Sequence, residues 1–403
     1  MLRQSSSKGP RQMIVSLTIR NFKSIADLNI NFEKFTCLVG LNGAGKSSLL
    51  QALDLASHLM KGDVEAWLQR RNWDAQDLHS KLTTASNILI FITVQLESGQ
   101  RLKWKAAFNR HSLSCTREEV IDLQTQKTIF NSFKGRYSVD GTESSKINFN
   151  FEGSLLSHLK KEILTDNLLA LREKITSIRS FELLSPHLMR SASRDSCTDI
   201  GAGGEKLASF LHSMKGPARD TLVSLLRKFY PAVIDFKTVQ KKAGWKQLFV
   251  IEKFNDRLFE IEAKHINDGL LRILAILAQT GSRQTMVLFD EIENGINPEI
   301  VEILVSLLQE APQQILVTTH SPLILNYLTD EIAEKAVQFI FRSSAGGTKA
   351  TPLFSIDRIK EKLCYMGPGE AFVDTSLTQL ATECAELYEK NVNEQSETKG
   401  ERG

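Results

Sequence analysis

The 403-residue sequence is poor in cysteine: Cys37, Cys115, Cys197, Cys364 and Cys384 are odd in number, widely scattered and never paired as C-x-x-C. That excludes a disulfide framework and a zinc ribbon, and points to a reducing, cytoplasmic location. Long apolar runs are missing as well. The longest, around Leu270 to Ala278, is interrupted by Arg272 and falls short of the roughly 18 residues that would predict a membrane-spanning helix, so no membrane partner is expected. Neither sign of charge dominates, since 50 Lys and Arg face 47 Asp and Glu for a net +3, which is too little for a nucleic-acid coat or a polybasic membrane binder. Residues 1–12, MLRQSSSKGPRQ, have no apolar core of the kind a secretory signal carries, and read as an unstructured lead-in. There is no internal repeat and no heptad run long enough for an extended coiled coil. The seven histidines other than His320 form no ligand-spaced cluster, so no structural metal is expected. What is present is an ordinary globular composition, 42% hydrophobic and 24% charged, at a length that suits two to three domains or one large domain with insertions.

From Met13 the pattern is that of half-buried strands, MIVSLTIRNF and LNINF, followed by the compact apolar run FTCLVG. Three strands thus precede a glycine loop. After it SSLLQALDLASHLM has helical spacing, and residues 61–84 show no clear period. NILIFITVQLES, RLKWKAAF and KINFNF, separated by Ser-Gly, Asp-Gly and Asn turns, predict an antiparallel sheet over about 85–152. Residues 154–228 are mostly helical in pattern, with a Ser-, Arg- and Gly-rich break at 185–204. AVIDFKTV and WKQLFVIEKF then read as a hairpin around Lys241 to Gly244. Helix, strand, helix and strand follow between Asn267 and Thr319. The end, NVNEQSETKGERG, is polar, lacks aromatics and reads as disordered.

Four motifs carry chemistry. Gly40-Leu41-Asn42-Gly43-Ala44-Gly45-Lys46-Ser47 is a full G-x-x-x-x-G-K-S between a strand and a helix that starts Ser47-Ser48. Glycines let the backbone N–H groups of Gly40, Asn42, Gly43, Ala44 and Gly45 wrap phosphates, Lys46 reaches their charge, and the Ser47 hydroxyl suits Mg²⁺. MVLFDEIENGINPE brings Asp290 and Glu291 to the end of a buried strand, where one carboxylate can hold Mg²⁺ and its neighbour can polarise an attacking water. QILVTTHSP ends a further buried strand at His320. A lone histidine is more often structural, but one helix and one strand beyond Asp290 it falls where parallel strands converge on one crevice, facing the γ-phosphate. Ile266-Asn267-Asp268-Gly269-Leu270-Leu271-Arg272 opens an almost wholly apolar helix. Its start reads either as an anion site or as a plain N-cap by Asn267 or Asp268.

In this order the motifs resemble the ABC-type ATPases of the group that contains the structural-maintenance-of-chromosomes proteins, RecF and the OLD (overcoming lysogenization defect) family. The nearer likeness is to stand-alone OLD-like AAA-type ATPases of bacterial defence loci. The resemblance covers roughly residues 13–330 and rests on IRNFKSI, GLNGAGKSS, SPHLMR with GGEKLASFL, INDGLLRILAIL, VLFDEIENGINPE and VTTHSP. It implies an α/β fold, a P-loop NTPase of the ABC-type ATPase head, with an antiparallel β-subdomain and an inserted helical subdomain. It places Lys46 and Ser47 in Walker A, Asp290 and Glu291 in Walker B, Glu293 and Asn294 in the D-loop, and His320 as the switch histidine. Asn267, Asp268 and Gly269 fall in the signature segment, which in the family completes the opposite subunit's site. Where the family usually has serine this chain has Asn267, whose amide can still donate to a phosphate. The Q-loop position is open, since Gln95 lies in a strand pattern.

Lys46 to Gly269 spans roughly 220 residues, about twice what a transporter nucleotide-binding domain allows. Residues 321–403 contain no D-x-D, so the metal-binding nuclease domain that OLD nucleases carry after the switch histidine is not expected here. The expected organisation is a lead at 1–12, an ATPase domain at 13–345 whose signature-to-switch region is 262–330, and a small C-terminal docking element with a disordered tail at 346–403. The expected function is an ATP- and Mg²⁺-dependent ATPase with catalytic Lys46, Glu291 and His320. ATP would pair its subunits, and it would serve as sensor or scaffold for a separately encoded nuclease or toxin of an anti-phage system. The alternative is a RecF-like DNA-binding ATPase of repair, suggested by Lys237, Lys241, Lys242 and Lys246 on the hairpin, a group that reads equally as a solvated turn.

Overall fold

The computed structural model describes residues 13–194, 199–280 and 284–400, with side chains as far as residue 390. The lead-in expected over 1–12, Cys197 and the last three residues lie outside them. Alternating apolar residues form the hairpin of β1 (Met13–Phe22) and β2 (Ile25–Asn31), whereas β3 (Phe35–Val39) is buried at every position. The glycine loop leads into helix Lys46–Lys61, and a short helix, Val64–Arg71, occupies part of the segment whose period was unreadable. A run of antiparallel strands follows: β4 (Asn87–Gln95), β5 (Arg101–Asn109), β6 (Ser114–Asp122), β7 (Thr128–Phe133), β8 (Arg136–Val139) and β9 (Ser145–Lys146). The expectation of helix over 154–228 holds for Asp166–Thr176 and Pro217–Phe229, but β10 (Ile178–Ser180) lies between them. Three residues are too few for a period of two to show, and this strand forms because it pairs parallel with a distant one.

The hairpin around Lys241–Gly244 joins β11 (Val233–Gln240) and β12 (Lys246–Phe254), and β13 (Arg257–Glu262) completes a three-stranded sheet. Helix Asp268–Thr280, β14 (Met286–Phe289), helix Pro298–Glu310 and β15 (Gln314–Thr318) come next, then β16 (Val337–Arg342) and β17 (Thr348–Pro352). The last helix, Leu377–Gly400, corrects the disordered tail. Its stretch holds no proline and no glycine before its last residue, and Glu, Gln, Lys, Ala and Leu favour helix. Leu380, Cys384 and Ala385 are buried, and Lys349 Nζ of β17 donates to Tyr388 Oη at 2.6 Å.

Two sheets organise the molecule. The antiparallel one runs β2-β1-β4-β5-β6-β7-β8-β9, and the other runs β10-β14-β15-β3-β16-β17. Thus the three strands before the loop divide: β1 and β2 start the first sheet, and β3 sits in the middle of the second, parallel to β15 and β16. A strand buried on both faces suits a covered parallel sheet, while alternating ones suit a sheet with one core face. Side chains of the parallel strands alternate between two cores. Leu38, Leu288, Leu316 and Ile340 point to the one shared with helix Lys46–Lys61 and the antiparallel sheet. Cys37, Val287, Phe289, Val317 and Phe339 point to the other, which contains helix Asp268–Thr280. From Gly269 to Thr280 every residue of that helix except Arg272 is buried, which accounts for its nearly continuous apolar run. The carboxyl ends of β3, β14 and β15 therefore open on one edge, where a parallel sheet presents its crevice.

Candidate nucleotide site

The glycine loop leaves β3 at that edge. Gly40 has φ 147° and its missing Cβ would lie 2.2 Å from the Ile340 carbonyl oxygen of β16. At Gly45, φ 110°, a Cβ would lie 2.1 Å from Thr348 Oγ1. Only glycine permits both the backbone angle and the close packing. Around Gly43 no atom lies within 4 Å of an added Cβ, so the mouth of the loop is open. The outer wall is built by the β16–β17 hairpin. Thr348 Oγ1 donates to Ala44 O (2.9 Å) and Arg342 Nε to Gly43 O (3.0 Å), while Ser24 Oγ donates to Ser48 Oγ (3.0 Å) and lies 2.8 Å from Thr348 Oγ1. No local pattern marks Arg342 or Thr348, because they meet the loop only through sheet pairing.

Lys46 Nζ folds back and donates to the Gly40 and Leu41 carbonyls at 2.9 and 3.2 Å. Burial lowers its pKa from the ordinary lysine value, and the carboxylates of Asp290, Glu291 and Glu293 work against that shift. Ser47 Oγ donates to Asp290 Oδ2 at 2.9 Å, so the first hydroxyl of the helix and the strand-end aspartate already meet. Fully buried Thr318 ties the carboxylate side together. Its Oγ1 donates to Asp290 Oδ1 and accepts from Glu291 N at 2.8 Å. Glu291 has φ 45°, a left-handed angle uncommon for a residue with a side chain, and Asn294 Nδ2 donates to its Oε2 at 3.2 Å. His320 Nε2 lies 3.8 Å from Glu291 Oε1, and both side chains are accessible. The structure brings the loop, Asp290, Glu291 and His320 together as the strand pattern predicts.

One acidic neighbour escaped the sequence reading. Phe181 N donates to Leu288 O (2.8 Å), so Glu182 follows β10 directly beside Asp290. Burial raises its pKa above the usual carboxylate range, with Arg71 opposing. Arg71, its side chain 4% exposed, donates to Glu182 Oε2 (3.0 Å) and Asp54 Oδ2 (2.8 Å), and Gln51 donates to Glu182 Oε1. Gln95, by contrast, is at the end of β4 in the antiparallel sheet.

At the start of helix Asp268–Thr280, Asn267 Oδ1 accepts from Leu270 N (2.8 Å), an N-cap, so the cap half of the two readings is realised. Asn267 as a whole is exposed. Arg190 of SPHLMR pins this turn, donating to Ile266 O (2.8 Å) and to Asp268 Oδ1. Gly269 packs on the loop after Glu291: a Cβ there would lie 2.8 Å from Gly295 O. Among the described residues no hydrogen bond joins Asn267, Asp268 or Gly269 to the glycine loop.

The geometry fits a nucleotide with Mg²⁺. The opening helix leaves its first N–H groups unbonded at the loop, and Ser47 with Asp290 offers two oxygens for an ion that takes its other ligands from phosphate and water.

The family model described as "AAA domain, putative AbiEii toxin, Type IV TA system" matches residues 35–326, well over half of the chain. The chain belongs to this AAA-domain family. The AAA-domain chain is also 36% identical over 107 residues to structural maintenance of chromosomes protein 1 of Schizosaccharomyces pombe; that stretch is 23% of this chain and 8% of the relative's length. Among solved structures it is similar to an SMC head bound to the C-terminal winged-helix domain of ScpA (TM-score 0.52, 16% identity, 84% of this chain and 97% of that one). A second is the SMC head with an extended coiled coil bound to the C-terminal domain of ScpA from Pyrococcus furiosus (TM-score 0.50, 14% identity, 88% and 100%). The fold is that of an SMC-type P-loop NTPase head. Among the described residues no helix is long and apolar enough to cross a membrane.

Proposed function

We propose that the AAA-domain chain is a Mg²⁺-dependent ATP hydrolase whose subunits pair around nucleotide. The observation that carries this reading is the meeting of Ser47 with Asp290 beside Glu291 and His320 at the mouth of the glycine loop. Bound ATP supplies the phosphoanhydride bond and Mg²⁺ the counter-charge. Ser47 and Asp290 would hold the ion. Lys46 would leave the Gly40 and Leu41 carbonyls to neutralise phosphate oxygens, with the N–H groups of Gly40, Asn42, Gly43, Ala44, Gly45 and Ser48 lining the cradle. Glu291, turned outward by its left-handed backbone, accepts a proton from the attacking water, and His320 orients the same water. Asn267 suits the trans role: its carbonyl oxygen caps its own helix, which leaves the amide hydrogens to donate to a phosphate on a second copy, next to Asp268 and Gly269.

The defence role extends this reading. We place the chain as the ATP-driven scaffold of an anti-phage system with a separately encoded nuclease or toxin. The family description names a toxin–antitoxin system, and the similar SMC heads were solved with a partner domain docked. Hairpin lysines give the DNA-repair alternative less support. Lys237 pairs with Glu260 at 2.5 Å and Lys246 Nζ donates to Arg194 O at 2.9 Å, so two of the four are engaged within the chain.

The test has two parts. Glu291→Gln should bind ATP and self-associate with Mg-ATP in sedimentation, yet turn over at least ~100-fold more slowly than wild type, as loss of a general base implies; Lys46→Ala should lose binding and pairing. Unchanged turnover in Glu291→Gln, or no added association with ATP, refutes the mechanism. Mass spectrometry of what co-purifies with tagged Glu291→Gln, against Lys46→Ala, then separates an effector from DNA and repair factors.

A further inference from the structure

The loop that carries His320 has an unusual anchor. Ser321 precedes Pro322 at the start of the short helix Pro322–Asn326, and its own hydroxyl makes no cap bond. The backbone N–H groups of His320 and Ser321 lie ahead of that helix and need acceptors from other parts of the chain. Glu293 provides one. Its Oε1 accepts from His320 N at 2.8 Å, Thr319 Oγ1 at 2.9 Å and Ser321 N at 3.1 Å, the last a shared donor that also reaches Thr319 Oγ1 at 2.9 Å. Three donors on one carboxylate oxygen make a charge-assisted clamp. The backbone between Glu291 and Glu293 is zipped to the same segment, since Glu291 N donates to Thr318 Oγ1 and Ile292 N to Thr318 O at 3.2 Å. The other oxygen of Glu293, Oε2, is buried and has no hydrogen-bond partner among the described residues. The resemblance gives Glu293 a D-loop position and no role; here its side chain turns to the loop of His320 in its own chain.

We infer that Glu293 is a positioning residue that holds the His320 loop against the Asp290–Glu291 turn, so that imidazole and carboxylate face the same point. The inference rests on the ATPase reading for its kinetic consequence but not for its structural one. Among the described residues no hydrogen bond joins Glu293 to the glycine loop or to the Ser47–Asp290 pair. Its charge reaches Lys46 only through space. Glu293→Gln removes that charge while it keeps the clamp, and Glu293→Ala removes both, so the two variants separate the effect through His320 from the effect on Lys46. An amide oxygen at the same place can accept the same three donors, whereas a methyl group cannot.

The experiment compares Glu293→Ala, Glu293→Gln, His320→Ala and the double variant Glu293→Ala/His320→Ala in the full chain. In Glu293→Ala, kcat should fall by about 10- to 100-fold with KM within about threefold, as misplacement of a catalytic group implies. Glu293→Gln should recover to within about threefold of wild type, and the double variant should match His320→Ala, because two residues acting through one step are not additive. Amide hydrogen exchange provides an independent reading: His320 should exchange faster by at least about tenfold in Glu293→Ala and stay protected in Glu293→Gln, with Ser321, which also donates to Thr319 Oγ1, changing less. Multiplying losses in the double variant, or unchanged exchange in Glu293→Ala, overturns the inference. A wild-type protein that hydrolyses no ATP would sink the ATPase reading instead, and exchange would still decide whether the clamp exists.

Discussion

Thr318→Val tests how the carboxylate pair is held. Valine fills the same space and deletes one hydroxyl, which in the structure donates to Asp290 Oδ1 and accepts from Glu291 N at 2.8 Å in a fully buried position. The bond to a carboxylate contributes about 1.5–3 kcal/mol and the amide bond about 1 kcal/mol; Asp290 and Glu291 are partly reached by water, so the expected loss is about 2–3 kcal/mol. In urea unfolding this should lower the midpoint with an unchanged slope. Glu291 also loses the partner that holds it at φ 45°. Relaxation toward a commoner backbone angle would swing its carboxylate from the crevice, and turnover should drop by about 30-fold while ATP affinity, set at Lys46 and the glycine loop, stays within about twofold. Thr318→Ser keeps the hydroxyl and loses only a methyl group, worth about 1 kcal/mol, so its turnover should return to within about threefold of wild type. Turnover of Thr318→Val within twofold of wild type, or Thr318→Ser as impaired as Thr318→Val, would refute the argument.

Gly40→Ala forces a Cβ onto the Ile340 carbonyl, so calorimetry should show ATP affinity reduced by at least about tenfold in a protein whose circular dichroism is unchanged. Arg71→Met strands the buried carboxylates of Asp54 and Glu182 and should cost about 3 kcal/mol in urea unfolding, part of which returns when Glu182→Gln is added. Burial pushes the Glu118 carboxyl up to about 7 despite donors on Ser154, Leu155 and Trp104. A carboxyl that is more basic when folded than when unfolded binds more protons in the native state. Its contribution to stability is therefore full below the unfolded value and declines as pH rises toward 7. The stability advantage of wild type over Glu118→Gln should accordingly shrink between pH 5 and pH 7.5.

Much of the site was legible because its parts are local. The glycine spacing, the strand-then-carboxylate pattern at Asp290 and the strand-then-histidine pattern at His320 each sit in one short segment, and parallel pairing of β3, β14 and β15 assembles them. What escaped is what only tertiary pairing creates. Thr348 reaches Ala44 and Arg342 reaches Gly43 from some three hundred residues away. Glu182 follows a three-residue strand too short for periodicity. Glu293 was visible as an acid near the Walker B turn, but the three donors that decide its direction belong to the next strand's end. In the fold, the apolar run FTCLV marked β3 as buried on both sides, yet nothing local said that β1 and β2 would leave it for the other sheet. The C-terminal helix was misread because polarity was taken for disorder, where a run of good helix formers has the same composition.

The place of β3 has a consequence for synthesis. Both of its neighbours, β15 and β16, come from the last quarter of the chain, and so does the hairpin that walls the glycine loop. As the chain leaves the ribosome, the antiparallel sheet of β1, β2 and β4 can close early, whereas β3, apolar but for Thr36, waits unpaired from Val39 until Gln314 opens β15. A ribosome that stalls before Thr348 would release a polypeptide with every Walker residue and no phosphate cradle. Competence to hold nucleotide thus reports that translation has passed Thr348.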